Sequence, residues 1–365
     1  MQSRTNGIDR IYLDHAATTP LRPEARAAML AGGELWANPS SPHGEGRAAR
    51  AALEDARARL KQALDWDGEV IFVSGASEAA TLALGRAKGG ARLVSAAEHD
   101  AILKAAPQAE RLPVLPDGSL DLDILSEAVT GREQPVVAVQ QINSETGNRM
   151  DLPGIGRMVR EAGGLLLADC AQGAGKFALP DADMCILSAH KFGGPVGIGA
   201  LLVRNFALLE PGGGQERGYR RGTENFPGVL AMVAALEACS DPYVDAAVLE
   251  PMQRVAERCR AGVGEGESGG VWLADRLADP TPYIAAIAMP KMSGSAQLMR
   301  LDMSGIAVSQ GSACSSGSLK QSHVMTAMGM DEDVAARMIR VSFGWSTTRS
   351  EVERFADAWL QLATG

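Results

Sequence analysis

The segment Leu165-Leu166-Leu167-Ala168-Asp169-Cys170-Ala171-Gln172 runs apolar for four residues and then stops at a carboxylate. A short unbroken apolar run fits a strand buried on both faces. The same texture recurs before it at Val70–Ser74, Arg92–Ala96 and Pro135–Gln141, and after it at Met184–Leu187 and Ala200–Val203. Helical spacing fills the intervals at Glu78–Ala87, Asp121–Ala128 and Ile155–Ala162. This alternation predicts an α/β fold, with a mostly parallel sheet between helical layers. Ligands in such sheets gather at the carboxyl ends of the strands. The chemically distinctive residues of this chain fall at those ends.

Further out, Arg10–Leu13 reads as a strand, Leu21–Ala31 as a short helix and Gly46–Leu64 as an amphipathic helix that turns Leu53, Ala56 and Leu60 to one face. Beyond Gly214 a helical stretch, Val229–Ala261, precedes a Gly/Glu-rich turn. Strands follow at Ile284–Met289 and Met338–Phe343, with helices near Ser295–Met303 and Ser350–Leu362. We therefore expect a large domain over residues 31–228 and a small α/β domain over residues 229–365, with residues 11–30 joining the small one. A chain of 365 residues is long enough for both.

Composition narrows the function classes. A hydrophobic share of 46% with 22% charged residues is that of a folded globular protein. Lys and Arg number 35 against 44 Asp and Glu, a net charge of −9, which gives no global footprint for nucleic acid or anionic lipid. No apolar run approaches the length of a membrane span, and Met1 to Arg10 has no apolar leader core, so a cytoplasmic location is expected. Five cysteines without a C-x-x-C pair argue against a disulfide framework and a zinc site.

Six elements carry chemistry. Ser188-Ala189-His190-Lys191-Phe192-Gly193-Gly194-Pro195 places a lysine just past an apolar strand, where lost solvation favours a neutral amine able to form a Schiff base. Asp169 ends the strand one β-loop-β excursion earlier; such a pair suits pyridoxal 5′-phosphate (PLP), whose pyridine nitrogen needs an acid group against it. Val73-Ser74-Gly75-Ala76-Ser77-Glu78 turns from strand to helix, with amides and a hydroxyl suited to a phosphate; an ordinary Ser77 N-cap is the plain alternative. His99 follows the strand Arg92–Ala96 at the same edge, placed to stack on a ring and move protons. Cys314 lies in a run of small residues, Val308 to Ser318, whose composition suits a mobile exposed loop. Finally, Arg340 is the one charge in Met338–Phe343 and calls for a carboxylate, from the protein or from a substrate.

Together with Tyr12-Leu13-Asp14-His15-Ala16-Ala17-Thr18-Thr19-Pro20, Asn38-Pro39-Ser40-Ser41-Pro42-His43, Gly212 to Gly218 and Arg221-Gly222-Thr223-Glu224-Asn225, these segments resemble the cysteine desulfurases of the NifS and IscS type. Those are fold-type I PLP enzymes of the class V aminotransferase superfamily. The resemblance implies a seven-stranded sheet and runs through Phe343-Gly344. It would make Lys191 the Schiff-base lysine, Asp169 the partner of the pyridine nitrogen and Gln172 a neighbour of the ring hydroxyl. Ala76, Ser77, Ser188 and His190 would hold the phosphate, with Thr223 from a neighbouring subunit, which implies a homodimer. His99 would act as acid/base over the ring, while Arg340 and Asn38 would bind the substrate. Cys314 would take the sulfur of L-cysteine as a persulfide and pass it to an acceptor protein, such as an iron-sulfur scaffold or a tRNA-thiolation protein.

One departure stands out. The family commonly has a second asparagine where this chain has Ser144, in Asn143-Ser144-Glu145-Thr146-Gly147, and that position normally contacts the cofactor. Competing readings are a related PLP lyase or aminotransferase, such as a selenocysteine lyase, and a weakly active sulfur-transfer partner. Cys314 in its small-residue run counts against the first. The intact set of Lys191, Asp169, His99, Arg340 and Cys314 counts against the second.

Overall fold

Seven strands with buried side chains define the main sheet of the computed structural model, which describes residues 4–5, 8–261, 270–311 and 322–364. They are β1 (Glu69–Val73), β2 (Arg92–Ser95), β3 (Glu110–Leu112), β4 (Val136–Gln140), β5 (Leu165–Asp169), β6 (Met184–Ser188) and β7 (Gly199–Val203). Their order is β1-β7-β6-β5-β4-β2-β3. Strand β7 runs antiparallel to both neighbours, and the other pairs are parallel. The alternation read from sequence thus gives the expected mostly parallel sheet. Edge strand β3 escaped that reading because Glu110 and Arg111 are exposed and only Leu112 is buried.

Alternate residues of each strand feed two apolar layers. Phe72, Val137, Leu166 and Leu187 join one core, and Ile71, Ala138, Leu167 and Ile186 the other. A buried ion pair fastens the outer helix Gly44–Ala63 to this sheet. Arg57 donates to Glu216 at 2.9 and 3.2 Å, and Glu216 also accepts from the Phe72 backbone.

A second, antiparallel sheet comprises β8 (Val271–Trp272), β9 (Ile284–Ala288) and β10 (Met338–Ser342) in that order. Beside it Ile11–Tyr12 pairs in parallel with Ile306–Ala307. Ile11, Leu13, Ile287, Val341, Phe355 and Trp359 share its core. Ala25 instead belongs to the core of the main sheet, and its helix, Pro23–Glu34, packs on Phe226–Glu237. Contact there is close enough that a Cβ on Gly32 would lie 2.9 Å from the Pro227 Cα.

The helical stretch expected over Val229–Ala261 is three helices: Phe226–Glu237, Ala246–Leu249 and Met252–Ala261. Pro242 and Pro251 fall in the breaks, where a missing N–H and a ring clash stop helical propagation. A short helix, Asp100–Ala105, also went unread, being too brief to show a period.

Candidate active site

Parallel register brings Asp169 and Lys191 together. Asp169 is the last residue of β5, and it pairs with Ile186 of β6. Two residues later β6 ends at Ser188, and a tight turn, Ala189–Lys191, carries the lysine off the sheet edge. Burial pushes the Asp169 carboxyl above its ordinary range, while a hydrogen bond from the Ala171 amide at 2.9 Å and the nearby charges of His99 and Lys191 pull it back. A buried carboxylate at a strand end is therefore set to receive an N–H donor. The Lys191 amine donates to the carbonyl oxygens of Ala16 and Ala17 at 2.7 and 3.0 Å. Thr19 ties the same loop to the lysine's backbone, its N–H on the His190 carbonyl and its hydroxyl on that of Lys191.

His99 caps the helix Asp100–Ala105 by accepting from the Ala101 amide on Nδ1 at 3.1 Å. A neutral ring in this geometry carries its proton on Nε2. Gln172, buried, donates from Nε2 to the Ala16 carbonyl at 2.8 Å, the oxygen that also holds Lys191.

The turn after β1 has the shape of an anion cradle. Gly75 caps the helix Ala76–Arg86 at φ +151°, a conformation that L side chains rarely adopt, and no side chain caps this helix start. The Ser77 N-cap entertained from sequence is therefore not formed; Ser77 lies inside the first turn. A Cβ built on Gly75 would point into open space, with the Ser188 Oγ at 4.0 Å. Gly199 lets the chains approach there, because a Cβ on it would sit 2.8 Å from the Gly75 Cα. Ser188 Oγ and His190 Nδ1 are 3.1 Å apart, and burial, with Lys191 and Lys176 nearby, pushes the His190 ring down to about 4. Helix amides, a hydroxyl and a neutral imidazole thus lie close together beyond the strand ends, a set that fits the phosphate of PLP while Asp169 and Lys191 fit its ring.

Across the cleft, Arg340 in β10 is buried and doubly held. It donates to the Asp14 carboxylate at 2.8 Å and to the Ser144 carbonyl at 2.8 Å. Among the described residues its Nε has no hydrogen-bond partner. Of the two carboxylate sources open from sequence, the protein supplies one in Asp14. Cys314 lies outside the described residues. Both flanks of its segment meet at Glu145: Ser322 Oγ donates to that carboxylate, and a Cβ on Gly311 would lie 3.1 Å from it. Ser309 exchanges backbone hydrogen bonds with Arg340.

The remaining sequence candidates sit further out. Asn38 is exposed, with Oδ1 accepting from the Ser40 amide at 2.8 Å. Thr223 is exposed too, its carbonyl held by Arg220, which is paired with Glu78 at 3.1 Å. Sequence reasoning missed Gly75, Asp14, Glu98 and Lys176. Glu98 is fully buried between the Gln140 and His99 amides, and burial, then Asp169, pushes it well up. Its place beside His99 was the available signal.

The match to protein families agrees with this geometry. The Aminotransferase class-V model covers residues 11–355, and the chain belongs to that family. A cysteine desulfurase of Cereibacter sphaeroides is 36% identical, with 96% of this chain and 95% of that one aligned. One from Rhodobacter capsulatus is 37% identical over 94% of each. A NifS-like protein from Rickettsia africae superposes with a TM-score of 0.85 at 26% identity, covering 98% of this chain and 100% of that one. Within the class-V family, the chain falls among the cysteine desulfurases.

Proposed function

We infer that the protein removes sulfur from L-cysteine with PLP bound in this cleft, releasing L-alanine. One observation carries the reading: adjacent parallel strands deliver a buried carboxylate and a carbonyl-cradled lysine to the same edge. When bound, PLP supplies an electron sink for the substrate carbanion. Asp169 holds a proton at the ring nitrogen, and the Gly75–Ser77 turn with Ser188 and His190 anchors the phosphate. Lys191 would be the residue that holds the cofactor's carbonyl carbon, and its amine would carry the substrate α-proton.

Arg340 binds the substrate carboxylate through a guanidinium now shared by Asp14 and Ser144. Asn38 would serve the same substrate from its loop, and His99 would move a proton through Nε2. Ser144 offers a hydroxyl where relatives place an amide, so its cofactor contact is shorter-reaching. Cys314, as a thiolate, bonds to the substrate sulfur while the C–S bond breaks, and the resulting persulfide awaits an acceptor. A second copy of the chain supplies Thr223 to the phosphate, and exposed Leu30 and Trp36 offer apolar surface for that contact. The acceptor is a protein, such as an iron-sulfur scaffold or a tRNA-thiolation factor, in the cytoplasm. Among the described residues no helix is long and apolar enough to cross a membrane.

Incubating PLP-loaded protein with L-cysteine and a thiol reductant should yield alanine and sulfide in equal amounts. Pyruvate and ammonia in their place, or no product, would refute the reading.

A further inference from the structure

A second lysine stands behind the first. Lys176 donates to Gln172 Oε1 at 3.3 Å, Gln172 donates from Nε2 to the Ala16 carbonyl at 2.8 Å, and that oxygen accepts from Lys191 at 2.7 Å. Three hydrogen bonds therefore join the two amines through one amide. Because an ammonium is only a donor, Lys176 selects the orientation of the Gln172 side chain: oxygen toward Lys176, nitrogen toward Ala16. Reversed, the amide would set oxygen against oxygen at Ala16.

We propose that Lys176 is a positioning residue that, through Gln172, fixes the carbonyl cradle of Lys191 and keeps a second positive charge beside it. The proposal rests on the PLP reading of this cleft. Around the Lys176 amine stand Lys191, His15, His190, Cys239 and the Tyr243 ring, 5.3 Å away, with Arg22 beyond the last two. Among the described residues no carboxylate pairs with this amine, and burial, then Lys191, brings it down to about 7. The residue as a whole keeps partial access to solvent while its amine lies deep among protein atoms. Depth decides the direction, and the residual access keeps the repulsion moderate.

Like charges close together favour loss of a proton from one of them. While Lys176 holds its proton, below about pH 7, it supports a neutral Lys191, the form that attacks a carbonyl carbon. Arginine at this place would keep the charge; methionine would remove both charge and donor.

The test is a pH titration of the visible band of PLP-loaded protein, comparing the native chain with Lys176→Met, Lys176→Gln and Lys176→Arg. The midpoint should rise by about one pH unit in the Met and Gln variants and stay near the native value in the Arg variant. Unchanged midpoints in folded Met and Gln variants overturn the proposal. The Gln variant, which still offers Gln172 a donor, separates charge from packing if the Met variant does not fold. A parallel NMR titration of 13C-methylated lysines in PLP-free protein follows the Lys191 amine itself. If native protein takes up no PLP, the functional reading fails, and this second titration still decides whether Lys176 shifts Lys191.

Discussion

The two walls of the cleft hold their charged groups differently. On the main-sheet wall, Asp169 and Lys191 come from neighbouring strand ends fixed by parallel register, and each hydrogen-bonds to backbone. On the small-sheet wall, Arg340 is held by a side-chain carboxylate, Asp14, as well as by the Ser144 carbonyl, and its Nε has no partner among the described residues. Backbone partners are fixed by the course of the chain, whereas a side-chain pair can exchange its carboxylate for another. The first wall therefore suits a resident group, and the second suits a substrate that comes and goes.

Mutations on the rigid wall should be the most damaging. Lys191→Ala should lower turnover by roughly a thousandfold or more and leave PLP removable by dialysis, as followed by the visible spectrum. Cys314→Ser should reduce sulfide release to background with the PLP band intact, since the thiol acts on the substrate and holds nothing of the cofactor. Asp169→Asn should cost roughly a hundredfold in kcat with a smaller change in KM, because its charge acts on the ring while the reaction proceeds.

The exchangeable wall should respond mainly in binding. Arg340→Gln should raise KM for cysteine by roughly ten- to a hundredfold, the worth of one to two charge-assisted hydrogen bonds. Asp14→Asn should be milder and opposite in sign, lowering KM about threefold as competition for the guanidinium weakens. Equal kcat losses in both would break the contrast between the walls.

Stability gives an independent check on the loop that links them. Burial pushes His15 down to about 3, with Lys176 adding to it, so the folded ring stays neutral where the unfolded one takes up a proton. Its contribution is complete above the ordinary histidine value of 6.5 and is lost as pH falls toward 3. Between pH 7 and pH 5 the unfolding free energy from urea melts should drop by about 2 kcal/mol from this group, a drop that His15→Asn removes.

Much of the frame was legible in sequence because the strands are short apolar runs whose buried faces leave a plain signature: five of the main-sheet strands are apolar at every position but an end. Edge strand β3 was not, since two of its three residues face solvent. The helical stretch over Val229–Ala261 shows apolar spacing throughout, and Pro242 and Pro251 mark the places where it divides. Asp169 and Lys191 could be paired from their places at strand ends. Asp14 could not, because its partner Arg340 lies far off in the chain on another sheet, and Glu98 and Lys176 could not because their burial depends on packing that no local pattern displays.

The most direct measurement is borohydride reduction of the PLP-loaded protein followed by peptide mass mapping. The account predicts a phosphopyridoxyl group on the peptide containing Lys191 alone. Its appearance on another lysine, or on none, would contradict the account at its root.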